Sequence, residues 1–191
     1  MLQDGDKAPA FELPAEAGET IKLSALKGKP AVLYFYPKDD TSGCTMEAKD
    51  FSRLAPDFRK AGVEVIGVSP DSVESHQKFR KKYDLAIRLA ADADKATANA
   101  YGVWVEKSMY GRKYMGVERS TFLIDKAGRI ARSWRKVKVS GHAEEVLAAA
   151  RALGHATPTA VVPAPAPANP PAPARATRRS RRSAPRTARR C

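Results

Sequence analysis

Cys44 closes a nine-residue stretch, Tyr36-Pro37-Lys38-Asp39-Asp40-Thr41-Ser42-Gly43-Cys44, whose residue types suit a nucleophilic thiol. The apolar run Ala31-Val32-Leu33-Tyr34-Phe35 before it reads as a buried strand, and the amphipathic segment after it reads as a helix. Cys44 then falls in the first turn of that helix, at the carboxyl end of a central strand. Unpaired backbone N–H groups and the positive end of the helix dipole both favour a thiolate there. Gly43 lets the backbone approach closely, Thr41 puts a hydroxyl three residues before the sulfur, and Pro37 can wall the site off from water. A free thiol is only a few per cent ionised at pH 7. A cation must therefore help, and it has to come from elsewhere in the chain.

The elements that position this stretch can be read in order. A loose strand pair is expected around Phe11–Leu13 and Thr20–Leu23, turning through Ala17-Gly18-Glu19. Ser24 to Gly28 suggests a helical turn with a serine cap and a closing glycine. After the strand at 31–36, the helix is predicted from about 44 to 61. It carries an apolar stripe of Phe51, Leu54 and Phe58, a stop at Gly62, and a kink or break near Ala55 because Pro56 lies within it. Val63–Ser69 is a second buried strand, and Val73, His76, Phe79 and Tyr83 mark the core side of the next helix. Ile87–Leu89 is a short strand, Asp94–Tyr101 a short helix, and Glu106–Glu118 a polar loop containing glycine. Arg119–Asp125 and Arg129–Lys136 are strands joined by Lys126-Ala127-Gly128. A last helix runs from about His142 to Leu153, with Gly154 as its cap. Strands alternating with helices and ending in a hairpin plus helix indicate an α/β domain with a mixed sheet.

Composition separates this domain from the rest. Hydrophobic residues are 43% of the 191, enough for one packed core, and no apolar stretch is long enough to cross a membrane. Two cysteines, Cys44 and Cys191, make neither a disulfide framework nor a metal-ligand spacing. With no basic and apolar leader at the amino terminus, the pattern suits a cytoplasmic protein. Residues 157–174 are almost all Pro, Ala and Val and read as an extended linker; residues 175–191 read as a disordered basic end. This tail holds eight arginines and no acid, so it supplies eight of the thirteen net positive charges. Phosphate contacts of a nucleic acid, without base reading, are one use for it; a solubilising extension is the other. His76, His142 and His155 read as surface or core-edge residues, and Trp104 and Trp134 as packing. Gly111 and Gly116 lack the strand–turn–helix setting of a phosphate loop.

Pro37-x-x-x-Thr41-x-x-Cys44 matches the signature of the peroxiredoxins. The longer Tyr-Pro-Lys-Asp-Asp-Thr-x-Gly-Cys-Thr resembles their PrxQ branch, also called bacterioferritin comigratory protein, and Gly5-Asp6-x-Ala8-Pro9-x-Phe11 resembles the family's opening. The resemblance covers about residues 4–154 and implies a thioredoxin-like mixed sheet flanked by helices. It also implies a peroxidase that reduces hydrogen peroxide or organic hydroperoxides through Cys44, which becomes a sulfenic acid. No metal or organic cofactor is implied, and a monomer or weak dimer is expected. On this resemblance Arg119 reaches the cysteine and the peroxide, Thr41 bonds the peroxide or the sulfur, and Glu47 orients an arginine. Many PrxQ relatives carry a resolving cysteine five residues after the first, where Lys49 stands here; others carry it in the helix matching 72–84, which has none. A one-cysteine enzyme is therefore expected, reduced by an external thiol such as thioredoxin, glutaredoxin or glutathione, or by Cys191 should the tail return. The alternative is a peroxiredoxin-like redox sensor tethered to nucleic acid by the arginine tail.

Overall fold

In the computed structural model, which describes residues 2–155, the elements follow in this order. They are β1 (Glu12–Pro14), β2 (Thr20–Lys22), β3 (Ala31–Phe35), α1 (Ser42–Lys60), β4 (Glu64–Ser69), α2 (Val73–Tyr83), β5 (Arg88–Ala91) and α3 (Ala96–Ala100), then β6 (Trp104–Met109), β7 (Arg112–Val117), β8 (Ser120–Ile124), β9 (Ile130–Trp134) and α4 (His142–His155). The central sheet has the order β5-β4-β3-β8-β9. β3, β4 and β5 run parallel, and β8 and β9 join antiparallel, so the sheet is mixed.

β3 lies in the middle with every residue buried, which explains its unbroken apolar run. Alternate side chains feed two cores. Val32, Tyr34 and Tyr36 meet Phe51 and Phe58 of α1, Phe79 of α2 and Val146 and Leu147 of α4. Leu33 and Phe35 meet Phe11, Ile21, Tyr101, Val103 and Phe122 on the other side. Gly67 sits opposite Tyr34 in the register, and a Cβ there would lie 2.6 Å from the tyrosine's Cζ and Oη. Only glycine lets that ring lie flat across β4.

α1 runs without interruption through Pro56, so the expected break is absent. Pro56 faces solvent while Phe51, Leu54, Ala55 and Phe58 are buried. Burying the two phenylalanines contributes about 2–3 kcal/mol each, which offsets the roughly 3 kcal/mol that a mid-helix proline costs. The helix ends as predicted at Gly62 (φ +72°): Gly62 N–H donates to Arg59 and Val63 N–H to Phe58, a paired closing bond that needs a left-handed residue.

Four other expectations change. Glu106–Glu118 is not a loop but most of the hairpin β6–β7, turned by Tyr110 and Gly111, both at positive φ. Beyond Trp104 and Val117 its ribbon is exposed or at most half-buried, and it lacks the apolar alternation that marks a strand with one face in the core. Ser24 lies inside the short 3₁₀ turn Leu23–Leu26 rather than capping it, and Lys22 holds the cap position. Gly154 falls within α4, which continues to His155. His142 is buried rather than at the surface or core edge, and His76 is enclosed as its place on the core side of α2 implies; both are held by hydrogen bonds that sequence spacing does not reveal. Among the described residues no helix is long and apolar enough to cross a membrane. The linker, the arginine-rich end and Cys191 lie outside the described residues.

Candidate active site

Thr41 takes the N-cap position of α1 with extended backbone (φ −94°, ψ 153°), and Thr45 N–H donates to its carbonyl. Cys44 is the third helical residue, so its own N–H and those of Ser42 and Gly43 have no acceptor within the helix. Cys44 is 2% exposed. Its Sγ accepts a hydrogen bond from Arg119 Nη2 at 3.2 Å, across 75 positions of sequence. Arg119 stands one residue before β8, which lies beside β3, so the antiparallel pairing delivers the guanidinium to the carboxyl end of β3. Its Nη1 donates to the carboxylate of Glu47, which is one turn beyond Cys44 on α1 and 1% exposed on its side chain. A Cβ on Gly43 would stand 3.4 Å from Nη2, in van der Waals contact with the guanidinium.

Cys44 and Arg119 are thus brought together. Thr41 and Pro37 stand exposed on the approach to α1, and the Thr41 hydroxyl donates to Lys38 O at 3.2 Å. The approach loop is anchored from beneath. Asp39 is buried and accepts from Tyr36 Oη at 2.7 Å and Ser75 Oγ at 2.7 Å, with His76 Nδ1 at 2.8 Å. Burial opposes its charge, but the bonds from His76, Tyr36 and Ser75 hold its carboxyl below the usual range. Asp39 N–H donates to Asp71 Oδ2 at 2.8 Å, and Asp40, at positive φ, accepts from Lys82 and Tyr83. The loop ahead of the cysteine is therefore tied to the start and end of α2.

Two contributors escaped the sequence. The motif gave Asp39 no role, since two of its partners, Ser75 and His76, are 36 and 37 residues away. Lys107 was hidden in the supposed loop; β6 carries its ammonium to Val117 O, near Arg119. Burial lowers the Lys107 pKa first and the charge of Arg119 second, while Glu118 and then Cys44 oppose. Lys49 lies 4.9 Å over the Tyr83 ring.

His142, at the start of α4, is buried with Nε2 2.8 Å from Thr121 Oγ1 and its ring edge-on to Phe51 and Trp134. Burial lowers its pKa from 6.5 to about 4; Glu145 resists and Arg119 assists. The unfolded chain therefore binds more protons between pH 6.5 and 4. This stability is present above pH 6.5 and is lost as pH falls through about 4, a change on the order of 3 kcal/mol. In urea unfolding, the advantage of wild type over His142→Asn should shrink by about that amount between pH 7 and pH 4. A difference between the two proteins that stays constant with pH would show His142 plays no such part.

A buried thiol at a helix start, paired with an arginine on a thioredoxin-like sheet, defines a thiol-based oxidoreductase. Comparison with known proteins agrees. A model of the AhpC/TSA family matches residues 5–133. Peroxiredoxin Bcp of Bacillus subtilis is 52% identical over 146 residues, covering 76% of this chain and 93% of its own. Peroxiredoxin Bcp of Xanthomonas campestris is 49% identical over 147 residues, 76% and 92%. The solved structure of the Xanthomonas campestris bacterioferritin comigratory protein, studied for alkyl peroxide reduction, superposes with a TM-score of 0.72 at 47% identity, covering 75% and 92%. The chain belongs to the AhpC/TSA family, in its Bcp or PrxQ peroxiredoxin branch, and is a peroxidase.

Proposed function

We propose that this peroxidase works through Cys44 in a one-cysteine cycle. The Cys44 thiolate attacks one oxygen of a hydroperoxide and the O–O bond breaks. The leaving oxygen takes a proton to depart as water or alcohol, and Cys44 is left as a sulfenic acid. Two external thiols then return it to the thiol, releasing water and a disulfide. Arg119 steadies the thiolate and the charge growing on the departing oxygen, with a fork that donates to two acceptors. The N–H of Cys44 and the Thr41 hydroxyl hold the peroxide in line, and Pro37 shields it from water. The observation that carries the reading is the 3.2 Å bond from Arg119 to the sulfur of a first-turn cysteine. Organic hydroperoxides are included because the Xanthomonas campestris relative is described for alkyl peroxide reduction.

A one-cysteine cycle rests on Lys49 at the fifth position after Cys44 and on the absence of cysteine from α2. The test is to give the reduced full-length protein one equivalent of peroxide and map its thiols by mass spectrometry. A sulfenic acid persisting on Cys44 is expected. A prompt Cys44–Cys191 disulfide would replace the external thiol with the tail. The eight arginines of 157–191 favour a second reading, a redox sensor held on nucleic acid. A sulfenate that thiols recycle only slowly, together with salt-sensitive retention on DNA, would select it.

A further inference from the structure

Arg119 offers one positive charge to two buried acidic groups. Nη1 donates to Glu47 Oε2 and Nη2 to Cys44 Sγ. The second oxygen of Glu47, Oε1, is buried and meets no donor among the described residues. A carboxylate draws its stability from donors on both oxygens. Leaving one buried and without a donor favours the neutral acid. We propose that Glu47 is a positioning residue that carries a proton in the reactive enzyme, leaving the charge of Arg119 to the Cys44 thiolate, and that its ionisation draws that charge away. This rests on Cys44 being the nucleophile.

The neighbours of Glu47 agree. From β3, the buried Tyr34 hydroxyl also lacks a partner; burial first, and then Glu47 and Cys44, push its pKa up. On α1, Asp50 adds negative charge that disfavours another. Ahead of β8, Arg119 is the group that favours ionised Glu47. On α4, His142 is held neutral by burial, and on β6, Lys107 lies near Arg119 and Cys44 and is itself weakened as a base by burial. Burial outweighs Arg119 and lifts the Glu47 carboxyl from 4.5 to about 7.

One negative charge neutralises Arg119, and a second makes a low-dielectric pocket anionic. Cys44 and Glu47 therefore compete for the one charge of Arg119. The reactive form is the one that has lost a single proton, from the sulfur. Its population declines once Glu47 ionises too.

The experiment is the second-order rate of Cys44 oxidation by hydrogen peroxide, by stopped flow across pH, for wild type and Glu47→Gln, each scaled to its own maximum. The glutamine can still accept from Nη1 but cannot ionise. Cys44→Ser in the same assay reports on the nucleophile separately: oxidation that persists there refutes the Cys44 reading, whatever Glu47 does. Difference infrared spectroscopy of wild type with ¹³C-labelled glutamate follows the acid's C=O band, so the question stands even if the variant folds poorly. Expected are a decline in wild-type rate above about pH 7 that Glu47→Gln lacks, and a carboxylic-acid band lost through that same pH. A decline kept in Glu47→Gln, a wild-type rate that does not decline, or no acid band outlasting those of the other nine glutamates would overturn the proposal and leave Glu47 as a fixed anion that only orients Arg119.

Discussion

Cys44→Ser should consume no peroxide above the buffer background with any thiol donor, a loss of roughly three orders of magnitude or more, as when a catalytic nucleophile is removed. A serine hydroxyl stays protonated at neutral pH, and its oxygen cannot be oxidised to anything resembling a sulfenic acid. The orphan N–H groups of the first turn and the Arg119 fork would remain in place but would have no thiolate to act on. The fold should survive. The exchange is nearly isosteric, and the hydroxyl can still accept from Arg119, so a stability change of about 1 kcal/mol is expected. Peroxide consumption with dithiothreitol as donor, beside a urea unfolding curve, measures both halves. Turnover above background by the folded variant would place the nucleophile elsewhere.

Where the chain was legible, one local rule decided the outcome. The run Ala31–Phe35 demanded burial on both faces, and a central strand is the element that supplies it. The stop of α1 was visible because Gly62 is the residue for a left-handed closing turn. Legibility failed where the deciding partner lay far away in sequence. Nothing beside Arg119 announces that it meets Cys44; that follows from β8 lying against β3, and only the family resemblance anticipated it. The spacing of α2 put His76 on the core side, but nothing local says what its polar ring meets there. Asp39 and Tyr36 supply the partners in three dimensions, with Ser75 also bonded to Asp39. Pro56 was misjudged in the other direction, a local penalty being weighed without the tertiary burial that outweighs it. The β6–β7 ribbon stayed hidden because exposed strands need no apolar face, and Lys107 was hidden with it.

Arg119→Ala should slow peroxide attack by about 10²–10³-fold, the scale on which a single preorganised donor to a developing charge acts. Two effects combine. The thiolate loses its cation, so less of Cys44 is ionised at neutral pH. The departing oxygen also loses the donor that would follow its growing charge. Glu47 responds as well. It is 1% exposed and paired only with Arg119 among the described residues, so losing the guanidinium pushes its carboxyl above the value of about 7 that burial has already set. A raised pKa in the folded state means that stability is full below the unfolded value near 4.5 and is lost as pH rises through the folded one. The variant should therefore be close to wild type in stability at pH 5 and fall behind it by pH 8, where an unpaired buried carboxylate must either hold its proton or stay charged without a partner. Arg119→Lys, with a single ammonium in place of a fork, can serve Glu47 or Cys44 but not both, and should fall between. Thiolate absorbance against pH, stopped-flow oxidation and urea unfolding at the two pH values measure the three consequences. Superimposable thiolate titrations with equal oxidation rates would remove Arg119 from the chemistry and leave it a structural partner of Glu47.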